Sequence, residues 1–556
     1  MATTAESSGG EVLRSERIAG GILPKVLNSF DMVAIFVAIV LFISNSAVIA
    51  GGAGPAGYIY WGLGFITFLI PGAIVTGQLG LMFPGEGSIY VWTNKAFGPF
   101  MGFFAGFCAW WPGVLVMIAT GDAVVSLIQQ LNANFLTEPW QQGLMIILVI
   151  AFSFVLSILR FRVTQNFVNV VFVAYGGAIL LIGVAGLLTL FNGHAAAVDY
   201  SAKGWQLSTG NATFYGLVIL ALLGIEVPLN MGVEINKPRS ITRYLLWGSL
   251  VVIAAYLIGT FGVMVAVPVK DQGSPAAIAE AVQLAFGSAG PFLGVLVNII
   301  FIGFFLFNTA VYNYSFGRLL FVSGLDRRMP TVMSKVNRNR VPWVAVLVQS
   351  IISAVFAALA FIIVPYALRT GLKPSDLSTV VYDVLQAAVT VIWCVSMVVL
   401  FIDVVIIRYK YHETFTRSRL APDWVFYLCS ALGLIASAVG IYVTFTGPWT
   451  TLIAYSSWVW LIGGIAVLSL VVGALLFLVG RATVKENVSD EEIIAKVTGT
   501  PVPVASDVGA PALATSRANE GTATTPVEDS ARVDNSESVV DTPTDSVENS
   551  EESTSS

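Results

Sequence analysis

Charge is scarce in this chain: only 11% of its 556 residues are Asp, Glu, Lys or Arg, while 56% are hydrophobic. Water-soluble domains of ordinary composition carry about twice that charged fraction, so a string of soluble globules is excluded. Cysteine is nearly absent, and Cys108, Cys394 and Cys429 all fall in apolar runs. A disulfide framework or a disulfide-linked subunit therefore has no thiol to use. The two histidines, His194 and His412, have no nearby Cys or His. Metal and nucleophile chemistry lack partners, so neither an enzyme nor a cofactor is expected. No GxxxxGK[ST] run occurs, which removes a nucleotide-driven pump. Residues 1–24 have no apolar core of a cleavable signal, so insertion is expected to use the first long helix.

What the chain has instead is apolar length. A bilayer core about 30 Å thick needs roughly 20 apolar residues per helix. Twelve such stretches lie near 30–50, 57–82, 97–130, 140–160, 165–191, 212–233, 243–268, 289–322, 343–364, 378–407, 424–446 and 453–480. They predict an all-α polytopic membrane protein of about 12 transmembrane helices. The third and eighth stretches, 34 residues each, are long enough to tilt strongly and line a central cavity.

The basic residues set an orientation. With the N-terminus inside, 24 of the 28 Lys and Arg fall on the cytoplasmic side, and only Lys203, Lys270, Arg369 and Lys373 lie outside. That asymmetry predicts a plasma or inner membrane protein with both termini cytoplasmic. The basic inner loop containing Arg327, Arg328, Lys335, Arg338 and Arg340 follows from the same rule, and also suits anionic lipid headgroups. The ends are different material. Residues 482–556 hold 15 acids and 4 bases with almost no aromatics, a net −11 that leaves +6 for the rest. The expected organisation is a cytoplasmic segment at 1–29, a twelve-helix unit at 30–480 and a disordered acidic tail at 481–556. No nucleic-acid partner is expected.

Two spans carry signs of interruption. In the first, Ser44-Asn45-Ser46-Ala47 followed by Gly51 and Gly52 favours unwound backbone halfway across the membrane. In the sixth, Gly224, Glu226 and Pro228 interrupt an apolar helix; proline removes a donor and glycine weakens the turn. Breaks at matching positions of two five-span halves are the pattern of a 5+5 inverted-repeat transporter with discontinuous helices 1 and 6. A broken helix supplies amide donors at one end and carbonyls at the other, where bulk water is absent. Glu226 is the outstanding candidate, because a carboxylate in mid-bilayer costs about 2.5–3.5 kcal/mol on insertion scales and so usually faces a cavity. It can carry a proton or meet an amine; the plainer alternative is a buried acid bonded to the first span. Asp122 and Asp403, nearer the ends of their spans, are weaker candidates.

Three stretches resemble a known family. They are GQLGLMFPGEGSIYVWTNKAFGPFMGFFAGF from Gly77, GIEVPLNMGVEINKPRSI from Gly224 and YSFGRLLFVSGLDRRMPTVMSKVNRNRVPWVAVLVQ from Tyr314. Together they are similar to the amino acid permeases of the amino acid, polyamine and organocation transporter superfamily. The resemblance implies inverted repeats in spans one to five and six to ten, with two peripheral spans after them. It implies that the backbone of Ser44, Asn45, Ser46 and Ala47 takes the substrate carboxylate or amine, and that Leu223, Gly224, Ile225 and Glu226 face it. It also implies that Gly113 and Met117, one and two turns beyond Trp110, line the site with Asn308 and Tyr312. Each of these also suits a packed helix face. The sequence departs from the family pattern in several places. Ser88 and Arg327 stand where glycine is usual, no aromatic gate occupies 219–223, and no lysine lies between Arg162 and Lys203. The fifth-span lysine that serves as an internal cation in some proton-coupled members is therefore missing.

The expected function is secondary transport of an amino acid or related amine by alternating access, coupled to a proton, to sodium or to exchange. The rival is a membrane amino acid sensor of the same fold that binds without net flux. Ion channels are disfavoured by the lack of a filter-like repeat.

Overall fold

The computed structural model describes residues 12–499 except 209, 274–275, 369–371 and 484–489, so most of the acidic tail lies outside the described residues. The described residues are predominantly helical. Among the described residues β structure is limited to two isolated bridges, Leu27 with Ile235 and Glu86 with Met231.

Among the described residues ten continuous helices are long and apolar enough to cross a membrane, and Ser29–Val40 with Ser44–Ala53 forms one more, bent by 43°. The second to fifth spans are Ala56–Met82, Pro99–Leu131, Pro139–Ile158 and Phe161–Phe191. The seventh is Arg239–Ala266, the eighth Gly290–Leu325, the ninth Trp343–Ala367 and the tenth Pro374–Lys410. Asp423–Thr446 and Tyr455–Thr483 are the eleventh and twelfth. The sixth is shorter: a helix over Thr213–Ala221, then 3₁₀ turns at Val227–Asn230 and Gly232–Glu234. Near-continuous apolar sequence forms helices here because each helix satisfies its own backbone, which lipid cannot do.

The sixth span breaks where its sequence implies. Gly224 has φ +99°, a left-handed conformation open to glycine, and Pro228 follows inside the first 3₁₀ turn. The first span breaks earlier than expected. Leu41, Phe42 and Ile43 leave the helix, whereas Ser44–Ala53, including Ser44–Ala47, Gly51 and Gly52, is helical. Those two glycines permit close packing rather than unwinding: a Cβ at Gly51 would lie 2.6 Å from Gly273 backbone, and one at Gly52 would lie 1.9 Å from the Phe214 ring.

The third and eighth spans make the most extensive helix contact in the molecule, followed by the tenth with the eleventh and the fifth with the seventh. Lipid-facing positions stay apolar, as with Val170, Val173 and Leu180 of the fifth span. Two short helices flank the spans, Arg14–Ile22 and Asp490–Thr498. They meet: Arg14 Nε and Arg17 Nη2 lie 3.1 and 3.2 Å from the Asp490 carboxylate. Residues 490–498 thus form a helix inside the stretch expected to be disordered. Both described chain ends share one end of the bundle, called here the terminal end.

Candidate substrate cavity

The break in the first span exposes three carbonyls, and three tyrosines answer them. The hydroxyls of Tyr312, Tyr256 and Tyr175 donate to the carbonyls of Ile39, Val40 and Leu41 at 2.5, 2.9 and 3.2 Å. Two of those hydroxyls also accept, from the N–H groups of Phe42 and Ile43, each at 3.2 Å. This explains the position of the break. The ladder can be abandoned at 41–43 because the fifth, seventh and eighth spans supply partners there. The Tyr256 hydroxyl lies 3.2 Å from the Ala221 carbonyl as well, where the sixth-span helix ends. One side chain of the seventh span therefore joins the two interruptions.

Beside them opens a cavity of about 600 Å³. It descends from exposed Pro448 and Trp449, away from the terminal end, to buried Ile39 and Tyr312. Asn45, Val116, Ala119, Leu223, Gln386 and Trp393 contribute to its wall. A side cavity of about 210 Å³ shares Phe42, Ala119 and Tyr382 with it and contains Ser44, Asp122, Ser126 and Gln130. Glu226 does not line the main cavity. It lies behind Trp393, whose indole N–H donates to Glu226 Oε1 at 3.2 Å, and the other carboxylate oxygen is buried without a partner.

At the terminal end the bundle is closed. Arg318 of the eighth span is fully buried, with Nη2 2.7 Å from Glu234 and Nε 3.4 Å from Glu86. These three residues come from the three stretches that carry the family resemblance, so segments remote in sequence meet in one ion cluster. The N–H groups of Val26 and Leu27 both donate to the Glu234 carbonyl at 2.9 Å, tying in the entry to the first span. The helix Arg14–Ile22 lies over this region. The Ser15 backbone N–H and hydroxyl donate to the two oxygens of Asp326 at 2.7 and 2.9 Å, and Lys95 Nζ is 2.8 Å from Glu16. Burial raises the Asp326 carboxyl above its ordinary range, and the hydrogen bonds from Ser15 and Tyr90 pull it partly back.

The residues singled out from sequence are thus divided. Asn45, Leu223 and Tyr312 line the main cavity and Ser44 the side cavity. Ser46 donates to the Tyr256 carbonyl at 3.3 Å and Ala47 is buried. Gly224 packs against Ile39 and Trp393, and Ile225 against Gly72. Gly113 sits against the Phe316 ring and Met117 beside Gln349, so the cavity face of the third span is the neighbouring one, at Val116 and Ala119. Asn308 is fully buried, and neither amide atom has a partner. Asp122 reaches the side cavity, whereas Asp403 accepts from Thr93 at 2.5 Å away from both cavities. Trp393, Phe42, Tyr175 and Tyr256 were not singled out; an aromatic residue in an apolar helix carries no sign that separates a cavity wall from a core.

A many-spanning helical bundle with two broken helices, a cavity beside them at one end and a seal at the other defines a membrane transporter. The chain matches the amino acid permease family over residues 27–486 and belongs to it. An uncharacterized transporter of Legionella pneumophila is 25% identical over 439 residues, covering 76% of this chain and 90% of that protein. The probable agmatine/putrescine antiporter AguD of Lactococcus lactis is 22% identical over 330 residues, 58% of this chain and 69% of the relative. The gamma-aminobutyric acid permease of Escherichia coli is 23% identical over 362 residues, 61% and 73% of the two chains. The protein is a multi-pass membrane transporter of amino acids or related amines.

Proposed function

We propose that this permease works by alternating access, with both termini in the cytoplasm and Glu226 as the group that meets the substrate amine or a proton. The observation that carries the reading is the asymmetry of the bundle. A cavity reaches the two helix breaks from one end, while Arg318, Glu86 and Glu234 close the other. The sequence assigns 24 of the 28 Lys and Arg to loops and termini on the N-terminal side of the spans, which supports a cytoplasmic location for the closed end. Substrate crosses without chemical change. The energy comes from a gradient, since a membrane potential supplies about 2.3 kcal/mol per charge per 100 mV. Exchange of two amino compounds needs no coupling ion.

Counterflow in proteoliposomes with a panel of amino acids and amines, under imposed pH and sodium gradients, tests this reading. Saturable accumulation of label against unlabelled substrate is the expected result. Specific binding with no flux in sealed vesicles would replace it with the sensor reading.

A further inference from the structure

The loop between the eighth and ninth spans is held in one shape at the terminal end. Arg340 stands in the left-handed region at φ +57°, and the Asn337 side-chain oxygen accepts from the N–H groups of Asn339 and Val341 at 2.9 and 3.1 Å. The side-chain amides of Asn337 and Asn339 both donate to the Ile158 carbonyl, at 2.8 and 3.1 Å. Ile158 ends the fourth span, where a helix leaves carbonyls without partners of its own. The loop is thereby pinned to the corner at which Leu159 and Arg160 join the fourth span to the fifth. Arg160, Arg338 and Arg340 are all exposed at this corner, and none of them pairs with a carboxylate among the described residues. Arg327 and Arg328 of the same basic loop are half-buried instead, and Arg328 lies over the Phe477 ring at 5.3 Å.

Directly inside the membrane from this corner the outer surface is an aromatic groove. The fourth and fifth spans touch each other little. Half-buried Phe307 of the eighth span floors the space between them, its ring 6.1 Å from Phe152 of the fourth and 5.9 Å from Phe167 of the fifth. Phe152 lies six residues before Ile158 and Phe167 six after Phe161, so both exposed rings sit about 9 Å in from the span ends. Exposed Val155 and Val163 continue the apolar walls toward the turn. Trp343, the first residue of the ninth span, is also exposed, as an aromatic at the membrane boundary commonly is. Three guanidinium groups at the boundary above an apolar groove match a molecule with an anionic head and a hydrocarbon chain. A soluble phosphate would use the corner and leave the groove idle.

We propose that this corner and groove hold one anionic phospholipid from the leaflet at the terminal end. Its phosphate sits on Arg160, Arg338 and Arg340, whose forked donors suit phosphate oxygens, and one acyl chain lies against Phe152, Phe307 and Phe167. None of these residues lines the substrate cavities, so the site stands whichever compound the protein carries.

Native mass spectrometry of the full-length protein in detergent, titrated with phosphatidylglycerol or with phosphatidylcholine of the same acyl chains, reads the site. One phosphatidylglycerol should be retained at concentrations where phosphatidylcholine is not. Arg160→Gln, Arg338→Gln and Arg340→Gln together should weaken retention about a hundredfold, at roughly fivefold per basic residue. Arg160→Gln alone, at an exposed turn, should weaken it about fivefold and carries the test if the triple variant fails to fold. The control is a second triple, Lys237→Gln, Arg239→Gln and Arg243→Gln, which removes exposed charge at the start of the seventh span and should leave retention unchanged. Equal losses in the two triples mean that the charge of the whole end attracts lipid without a site, and overturn the inference. Equal retention of the two lipids does the same. Glycerol phosphate supplies the head without chains, and its displacement of the lipid at matched concentration would assign the corner to a soluble anion instead. Phe152→Ala with Phe167→Ala should weaken retention severalfold with melting near that of the parent, since both rings are exposed. Unchanged retention in that variant removes the groove from the site.

Discussion

At the scale of single residues, the contact between Trp393 and Glu226 sets the surroundings of the buried carboxylate. Its one side-chain donor is the indole N–H, 3.2 Å from Oε1, and Oε2 is buried without a partner. Glu226→Gln keeps the size and removes the charge. Transport should fall by about ten- to hundredfold, the range for losing a charged hydrogen-bonding partner, while expression and melting temperature stay near those of the parent. Unaltered counterflow across a pH series would take Glu226 out of the mechanism. Trp393→Phe keeps a ring and deletes the donor, leaving the carboxylate bare. Melting should show a loss of about 1–3 kcal/mol, and Glu226→Gln in the same background should recover part of it, since a neutral amide costs less to bury. Glu226 was legible in the sequence because a charge in an apolar run has few explanations. Trp393 was not, because its role depends on a neighbour 167 positions away. Ser88 and Arg327, standing where the family pattern has glycine, illustrate an intermediate case. Their backbones adopt φ +20° and +56°, so the pattern had flagged positions of unusual backbone without saying what holds them.

At the scale of elements, the break in the first span is held by side chains from other spans. The sequence signal, a Ser-Asn-Ser run, marks residues suited to the start of a helix, and the half-helix does begin at Ser44. The unwound residues precede it, and they are the apolar Leu41, Phe42 and Ile43, which by composition look helical. Tyr256 is the strongest of the supports because its hydroxyl meets Val40, Phe42 and Ala221. Tyr256→Phe orphans groups on both broken spans, at about 1–3 kcal/mol for each buried group left unpaired. Tyr312→Phe orphans only the Ile39 carbonyl. Thermal melting in detergent should therefore place Tyr256→Phe below Tyr312→Phe, with transport lost in the same order. Equal melting of the two would mean that the seventh span does not couple the breaks.

At the scale of the whole molecule, the many-span helical architecture was legible because the bilayer imposes length on each apolar stretch. The conformational state was not, since one sequence must specify both the closed and the open form of each end. What holds the terminal end closed is a buried cluster of unusual stoichiometry, two carboxylates around one guanidinium, which joins the loop at Glu86, the end of the sixth span and the eighth. Removing the cation leaves two acids in a dry site, and breaking a buried pair in this way costs about 3–5 kcal/mol. Removing one acid leaves a neutral pair. The expected order of melting is therefore parent and Glu86→Gln highest, Glu234→Gln lower because its oxygen is the nearer one at 2.7 Å, and Arg318→Met lowest. Arg318→Lys should not restore the parent, because an ammonium lacks the planar fork by which Nε and Nη2 both approach Glu234 while Nε also faces Glu86. If the cluster is the lock that must open during each cycle, Glu234→Gln should also speed exchange under conditions where opening at this end limits the rate, even though the protein is less stable. A variant that melts earlier and turns over more slowly would mean that the cluster positions the sixth span instead of latching it.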